Sequence, residues 1–444
     1  MDFKKLFYGL GVLCLPWTGF TQELLPLEQA ISTALENNYN IQLEKYNVEI
    51  SENNVSRAVS GQMPTLQHQV SYEWGYSNAE IETLNQSPGE ANSEPLELDG
   101  TSQELVIQPQ LDVPIFEGFR GRYRYKQLEN TYQMSELQLT GVIEQTISST
   151  VSAYLEVARL QSRLAIDEEN IVISNDRWQR VTEDAKFGAA NSIQRLQAEV
   201  DLKTDSANYR NSVLAYENSR RDLNLVMAQS PEEVFTVQED VMLSNDMRYD
   251  QLEEEMKANN TQLNLSKLSI SNAAYDVKIN ESTMFPRVSG YANYTYLDSE
   301  DEANFLQANT VYGPSVGVSL SWSVFTGGAN KIQRQNAQVS LDREKTSLSS
   351  TTLNLQKELR NAYAQYTNNK QQLRIEKSNL AIYERNYQKN SEDYKFGLVD
   401  ASDVRTAQQN LSLAKNRIND LVYNVKQSEI QLLELSGRLT QQTH

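Results

Sequence analysis

The sequence predicts a mixed α+β membrane protein made of two tandem repeats, with four transmembrane β-strands and long coiled-coil helices in each chain. Three observations predict it. The segment Lys186-Phe187-Gly188 returns as Lys395-Phe396-Gly397, 209 positions later. Four segments alternate apolar and polar residues, the period of a half-buried strand. The long stretches between them carry apolar residues seven apart, the seam of a coiled coil.

Composition sets the limits. The 444 residues are 39% hydrophobic with a mean hydropathy of −0.59, too polar for one large compact core. The abundant Asn, Gln, Ser and Glu suit long helices with narrow apolar seams. A net charge of −19 argues against a nucleic-acid surface. Residues 1–21 read as a secretory signal: Lys4-Lys5, an apolar run from Leu6 to Trp17, then Gly19 and Thr21 before a cut at Gln22. Without Asp2, Lys4 and Lys5 the mature chain keeps 58 acidic and 38 basic residues, a charge of −20. Cys14, the sole cysteine, falls inside the signal, and Leu13 precedes it where a lipidation site wants a small residue. The mature chain is then expected to have no thiol or disulfide chemistry.

The first repeat is assigned to residues 22–248. Leu27 to Ser60 is helical with a break at Asn37-Asn38, and Pro64 ends the helical period. Strands are expected over about 65–76 and 104–116. In the first, Leu66, Val70, Tyr72, Trp74 and Tyr76 share one face, from which His68 departs; in the second, Leu105, Ile107, Leu111, Val113 and Ile115 do. Residues 77–103 hold six acids and no base and are expected to be a solvated loop. A helical hairpin follows over about 119–228, with Val157, Leu164, Ile171, Trp178 and Ala185 as its seam and its tip at Gly188. Its first arm alone would span roughly 100 Å. Residues 229–248 read as a connector.

The second repeat, 249–444, restates this plan. Pro286 answers Pro64 and Tyr294 answers Tyr72 at an offset of 222; Phe325-Thr326-Gly327 answers Phe116-Glu117-Gly118 at 209. The 13-residue difference lies in the first acidic loop, where added length costs least. Strands are expected over about 286–297 and 312–325, and a hairpin over about 328–436. At its tip Gly397 closes one helix, and Asp400 and Ser402 offer side-chain oxygens to the free amides opening the next.

Strands with apolar, aromatic outer faces and small or polar inner faces follow the pattern of a membrane β-barrel. Four strands cannot close one, and open edges in hydrocarbon leave amides unpaired. Several chains must therefore share a barrel: two copies give eight strands and a packed interior, three give twelve and room for a channel.

With these residues in view the chain resembles the TolC-like outer-membrane efflux family over about Leu25 to Leu439. The resemblance rests on the duplication, on Pro64 and Pro286 entering strands, on Phe-x-Gly leaving them, and on Phe396-Gly397-Leu398-Val399 followed by Asp403-Val404, Ala407-Gln408, Leu411 and Ala414. It implies a homotrimer in the outer membrane of a Gram-negative bacterium, with a twelve-stranded barrel in lipid and a long periplasmic helical barrel. It also implies docking to a periplasmic adaptor and an inner-membrane transporter through the hairpin tips, which here present Phe187, Gly188, Phe396 and Gly397. The pore constriction falls by the same resemblance on Asp403, with Asp400, Tyr394 and Gln194 around it. Thr406 stands where a second acid is often found, Val399 replaces an arginine of some members, and Gln194 replaces an acid. A charged latch is thus only partly present. Asp403 also reads as a carboxylate favoured by a helix N-terminus, and the two readings are compatible.

Enzymatic chemistry finds no footing in the sequence. The two histidines are His68, on a strand, and His444, the last residue, so no cofactor or metal site is expected. A periplasmic coiled-coil adaptor is the alternative, but it needs one hairpin and no membrane strands. An enzyme or adhesin of the outer membrane would want a site-bearing loop or a passenger domain.

Overall fold

A computed structural model describes residues 23–81, 96–239, 243, 247–303 and 308–439. The signal segment and the last five residues lie outside that set. Within it the order is β1 (Glu23–Leu25), α1 (Leu27–Asn37), α2 (Tyr39–Asn54), β2 (Thr65–Ile81), β3 (Leu96–Phe116), α3 (Arg120–Lys186), α4 (Ser192–Val226), β4 (Phe235–Val237), α5 (Tyr249–Asn259), α6 (Thr261–Glu281), β5 (Arg287–Asp301), β6 (Ala308–Ser321), α7 (Ala329–Lys395) and α8 (Ala401–Ser436). The arms α3 and α7 have 67 residues each, and the return arms α4 and α8 have 35 and 36, so the two repeats build closely matching hairpins. No helix among the described residues is long and apolar enough to cross a membrane.

The residues form two compact units that do not coincide with the repeats; each takes pieces of both. One unit, 40–142 with 256–358, holds a four-stranded antiparallel sheet in the order β2-β3-β5-β6. Its register places the apolar residues on one face. Val70 lies opposite Ile107, Ile107 opposite Tyr296, and Tyr296 opposite Tyr312. The other face is hydrogen-bonded and polar: Gln108 donates to Thr295 Oγ1 at 3.2 Å and Ser315 to Asn293 Oδ1 at 2.6 Å. Trp74, Tyr72, Val316 and Leu320 are all more than half exposed on the apolar face, an arrangement water would penalise and lipid would not.

The strands depart from their expected limits in three places, one of them the second hairpin, where Asp298 to Glu300 pair with Thr310 to Ala308 beyond the expected ends at about 297 and 312. The acidic segment is not all loop, since Ser77 to Ile81 pair with Leu96 to Gly100 and extend the hairpin. Backbone pairing continues wherever two antiparallel strands remain in register, whatever the charge of exposed side chains. At the other end β6 stops at Ser321. There Trp322 Nε1 donates to the Met284 carbonyl at 3.1 Å and the Val324 amide turns back to the Trp322 carbonyl, so the chain leaves the ladder.

The other unit, 23–39, 143–255 and 359–439 among the described residues, has an apolar core. Val157, Ala158, Leu223 and Met227 in it are fully buried. The connector contributes structure here, because β4 pairs in parallel with β1. Tyr154 holds both strands, its hydroxyl donating to the Leu25 carbonyl at 2.9 Å and accepting from the Gln238 amide at 3.0 Å. The α8 residues expected at seven-residue spacing are Val404, Leu411, Ile418, Val425 and Leu432; all are buried except Ile418, which is half-buried.

Candidate functional site

The two hairpin tips lie in this second unit and are built alike. After α3 the Gly188 backbone takes φ +77°, and after α7 Gly397 takes +71°, the left-handed conformation that only glycine adopts without strain. Each glycine closes its helix with the same pair of bonds. At the first tip Ala189 N–H reaches the Asp184 carbonyl and Gly188 N–H reaches Ala185; at the second Leu398 reaches Asp393 and Gly397 reaches Tyr394. This is the Schellman closure, which satisfies carbonyls a helix end otherwise leaves bare. Phe187 and Phe396, just before the glycines, are 88% and 79% exposed.

The following helices open with matching caps. The Asn191 amide donates to Gln194 Oε1 at 2.9 Å, and the Gln194 amide donates back to Asn191 Oδ1 at 2.9 Å. In the second tip the Asp400 amide donates to Asp403 Oδ2 at 3.0 Å. Gln194 and Asp403 therefore hold equivalent capping positions, and Asp403 and Asp400 remain exposed to solvent. Tyr394 is half-buried on the last turn of α7. Burial, then the Asp184 charge, raise its phenol above the ordinary value, so it stays protonated at neutral pH.

Behind the tips lies a charged cluster the sequence did not reveal. Arg405 of α8 grips Asp205 of α4 with both terminal nitrogens, at 2.6 and 2.8 Å, and its Nε is 3.8 Å from Asp201. Arg177 of α3 donates to Asp201 at 2.7 Å. All four side chains are no more than 15% exposed. Burial lowers Arg177, whereas at Arg405 the same burial is overcome by the Asp205 hydrogen bond and charge, which raise it. Gln408, also buried, donates to the Asn170 carbonyl at 3.3 Å and completes the junction of α8 with α3. A polar groove of about 580 Å³, lined in part by Arg163, Asp167, Asp205, Arg405 and Asn416, opens beside the cluster. The spacing of Asp201 and Asp205, one helical turn apart, was the only available hint.

Long paired helices ending in duplicated tips, with a four-stranded sheet bearing an apolar outer face, define an outer-membrane channel of mixed α-helical and β-barrel type. The chain belongs to the outer membrane efflux protein family, the TolC-like channels, whose family model matches residues 30–229 and 252–438. It is similar to the outer membrane efflux protein BepC of Brucella suis biovar 1 (strain 1330), 21% identical over 419 residues, covering 93% of this chain and 86% of that one. Its fold is similar to the Campylobacter jejuni CmeC outer membrane channel, with TM-score 0.75, 16% identity, and 99% and 94% of the two chains covered. It is also similar to VceC of Vibrio cholerae, with TM-score 0.73, 14% identity, and 93% and 96% covered. The protein is accordingly an outer-membrane exit duct of a Gram-negative bacterium that extends into the periplasm.

Proposed function

We propose that three copies of this chain form the passive duct of a tripartite export machine, docked through their hairpin tips to a periplasmic adaptor and through it to an inner-membrane transporter. The observation that carries this reading is the open sheet. β2 and β6 each have a strand on one side only, while the sheet's apolar face asks for lipid. An unpaired edge in hydrocarbon costs several kcal/mol per amide, so the sheet must be completed by other copies. Eight strands would be filled by side chains; twelve leave a bore.

In this reading outer-membrane lipid covers Tyr72, Trp74, Val316 and Leu320. Phe187, Gly188, Phe396 and Gly397 meet the adaptor. Asp403 carboxylates from three copies converge on the axis, where like charges repel one another and attract cations. Asp400 caps its helix, Tyr394 braces the closed form, and Gln194 supports the first tip. No cofactor takes part. Native mass spectrometry of the detergent-extracted protein tests the assembly: three copies are expected, and a stable soluble monomer overturns it.

A further inference from the structure

At the foot of the sheet, where strands hand over to helices, two arginines from different repeats reach one cavity. Arg120 opens α3 and Arg287 opens β5, and both line a cavity of about 390 Å³ inside the sheet-bearing unit. That volume lies in the range of about 300–1,000 Å³ typical of small-molecule pockets. The rest of the wall is uncharged, and no acidic residue lines it, in a chain with 59 acids against 40 bases. Among the described residues neither guanidinium has a carboxylate within salt-bridge distance or any side-chain hydrogen bond. Glu281, at the end of α6, takes Lys278 instead at 3.0 Å, and Glu117 lines an adjoining cavity that Arg120 also borders. The lining side chains of Ser321, Ser323 and Gln333 are likewise unused as donors. Arg177 and Arg405 behind the tips are matched by Asp201 and Asp205; these two arginines are matched by nothing.

The segments that carry them are fastened to each other. Gly118 turns the chain from β3 into α3 with φ +62°, and a Cβ there would meet the Ser282 carbonyl oxygen at 2.5 Å, so the turn rests directly on the end of α6. Phe119 and Phe285 meet edge-on with ring centroids 6.5 Å apart. Arg120 and Arg287 therefore project from a packed junction, not from free loops.

The internal repeat separates a structural role from a binding one. An offset of 209 carries Arg120 to Ala329, which opens α7, and an offset of 222 carries Thr65, which opens β2, to Arg287. The equivalent helix and strand start without an arginine, so opening these elements does not require one. Both arginines fall where the two repeats adjoin, β3 beside β5.

A guanidinium presents a planar fork of N–H donors that matches the oxygens of a phosphate group two at a time, and hydroxyl and amide donors can complete the shell. We infer that this cavity binds a multiply charged oxyanion of the phosphate class. Arg287 shares the polar strand face with Ser289, Asn293 and Thr295, and Ser321 and Ser323 lie on the polar face of the next strand and its continuation, whereas Trp322 belongs to the apolar set. The oxyanion therefore belongs to a solute in the bore, not to a lipid headgroup. That placement rests on the shared-barrel reading above, while the site itself rests on a single chain. A duct of three copies would hold three such sites at the inner end of its barrel, far along the chain from the acidic Asp403 at the tips.

Equilibrium dialysis of the detergent-extracted protein, freed of phospholipid, against radiolabelled inorganic pyrophosphate at low salt tests the site. Saturable binding of one pyrophosphate per chain is expected, and it should weaken as added salt screens the charges. Arg120→Ala with Arg287→Thr installs the residues the chain already uses at the equivalent positions, so the melting temperature should hold while binding weakens by about tenfold or more. Arg287→Lys keeps the charge without the fork and should bind between the two. Lys331→Gln removes an exposed charge from the first turn of α7, outside the cavity, and should bind as wild type. No saturable binding to wild type, undiminished binding in the double variant, or an equal loss in Lys331→Gln overturns the site. Uptake of phosphatidylglycerol from mixed micelles with none of pyrophosphate also overturns it, in favour of a lipid site. A single copy by native mass spectrometry that still binds pyrophosphate fails the shared barrel and keeps the site.

Discussion

Gln194 and Asp403 stand 209 positions apart and make the same bond, each side chain accepting the backbone N–H of the residue three positions before it, at 2.9 and 3.0 Å. One does so as a neutral amide, the other as a carboxylate. The helix cap and the charge can therefore be separated by substitution.

Asp403→Asn keeps an accepting oxygen and removes the charge, so it should leave thermal stability nearly unchanged. If the carboxylate lines the constriction, single-channel conductance in planar bilayers should rise, or block by multivalent cations weaken. Gln194→Ala removes a cap bond of about 1 kcal/mol and should leave cation block as in wild type. Identical conductance and block in Asp403→Asn and wild type would place the gate elsewhere.

Arg405 sits between Asp205, which it grips directly, and Asp201, which also has Arg177 as a partner. Arg405→Ala leaves buried Asp205 unpaired and should destabilise the helical unit by about 3–5 kcal/mol, read as a lower melting temperature of the detergent-solubilised protein. Arg405→Lys keeps the charge but not the two-pronged grip, and should fall between. Adding Asp205→Asn to Arg405→Ala should recover part of the loss; no recovery would show that the ion pair is not the cause.

The tip phenylalanines can be changed at little cost to the fold, because both are almost fully exposed. Phe187→Ser with Phe396→Ser should preserve melting temperature and oligomer mass while lowering export in cells. The glycines behave differently. A Cβ at Gly188 or Gly397 meets nothing within 4 Å, so Gly→Ala there costs only the left-handed backbone, about 1–2 kcal/mol. Export equal to wild type in the phenylalanine pair would remove the tips from the docking surface.

The ends of the sheet at Ser77 to Gly100 and Asp298 to Thr310 should face the outside of the cell. Asn309→Cys, exposed on β6, should be labelled on intact cells by an impermeant maleimide. Ala303 is unsuited as a probe, being 5% exposed beside Gly100. Labelling at Gly397→Cys but not at Asn309→Cys would invert the topology.

Much of the fold was legible in the residues. The repeat, the four alternating strands, the heptad seams and both glycine-closed tips are properties of neighbours along the chain: a period of two or seven, a Gly after a helix, an Asn or Asp before one. Each is set by local backbone geometry and by which face a side chain must take, so Val404, Leu411, Ile418, Val425 and Leu432 could be assigned to one seam before any contact was known, and all but the half-buried Ile418 are buried. The tertiary structure decided what depends on the meeting of distant segments. It joined Arg405 to Asp205 across 200 positions, paired β1 with β4, carried the acidic hairpin on to Ile81 and Leu96, and ended β6 at Ser321. Helical periodicity says which residues share a stripe but not which stripe of another helix will face it. A strand likewise ends where its partner departs, and a charged side chain pointing to solvent does not break the backbone ladder beneath it.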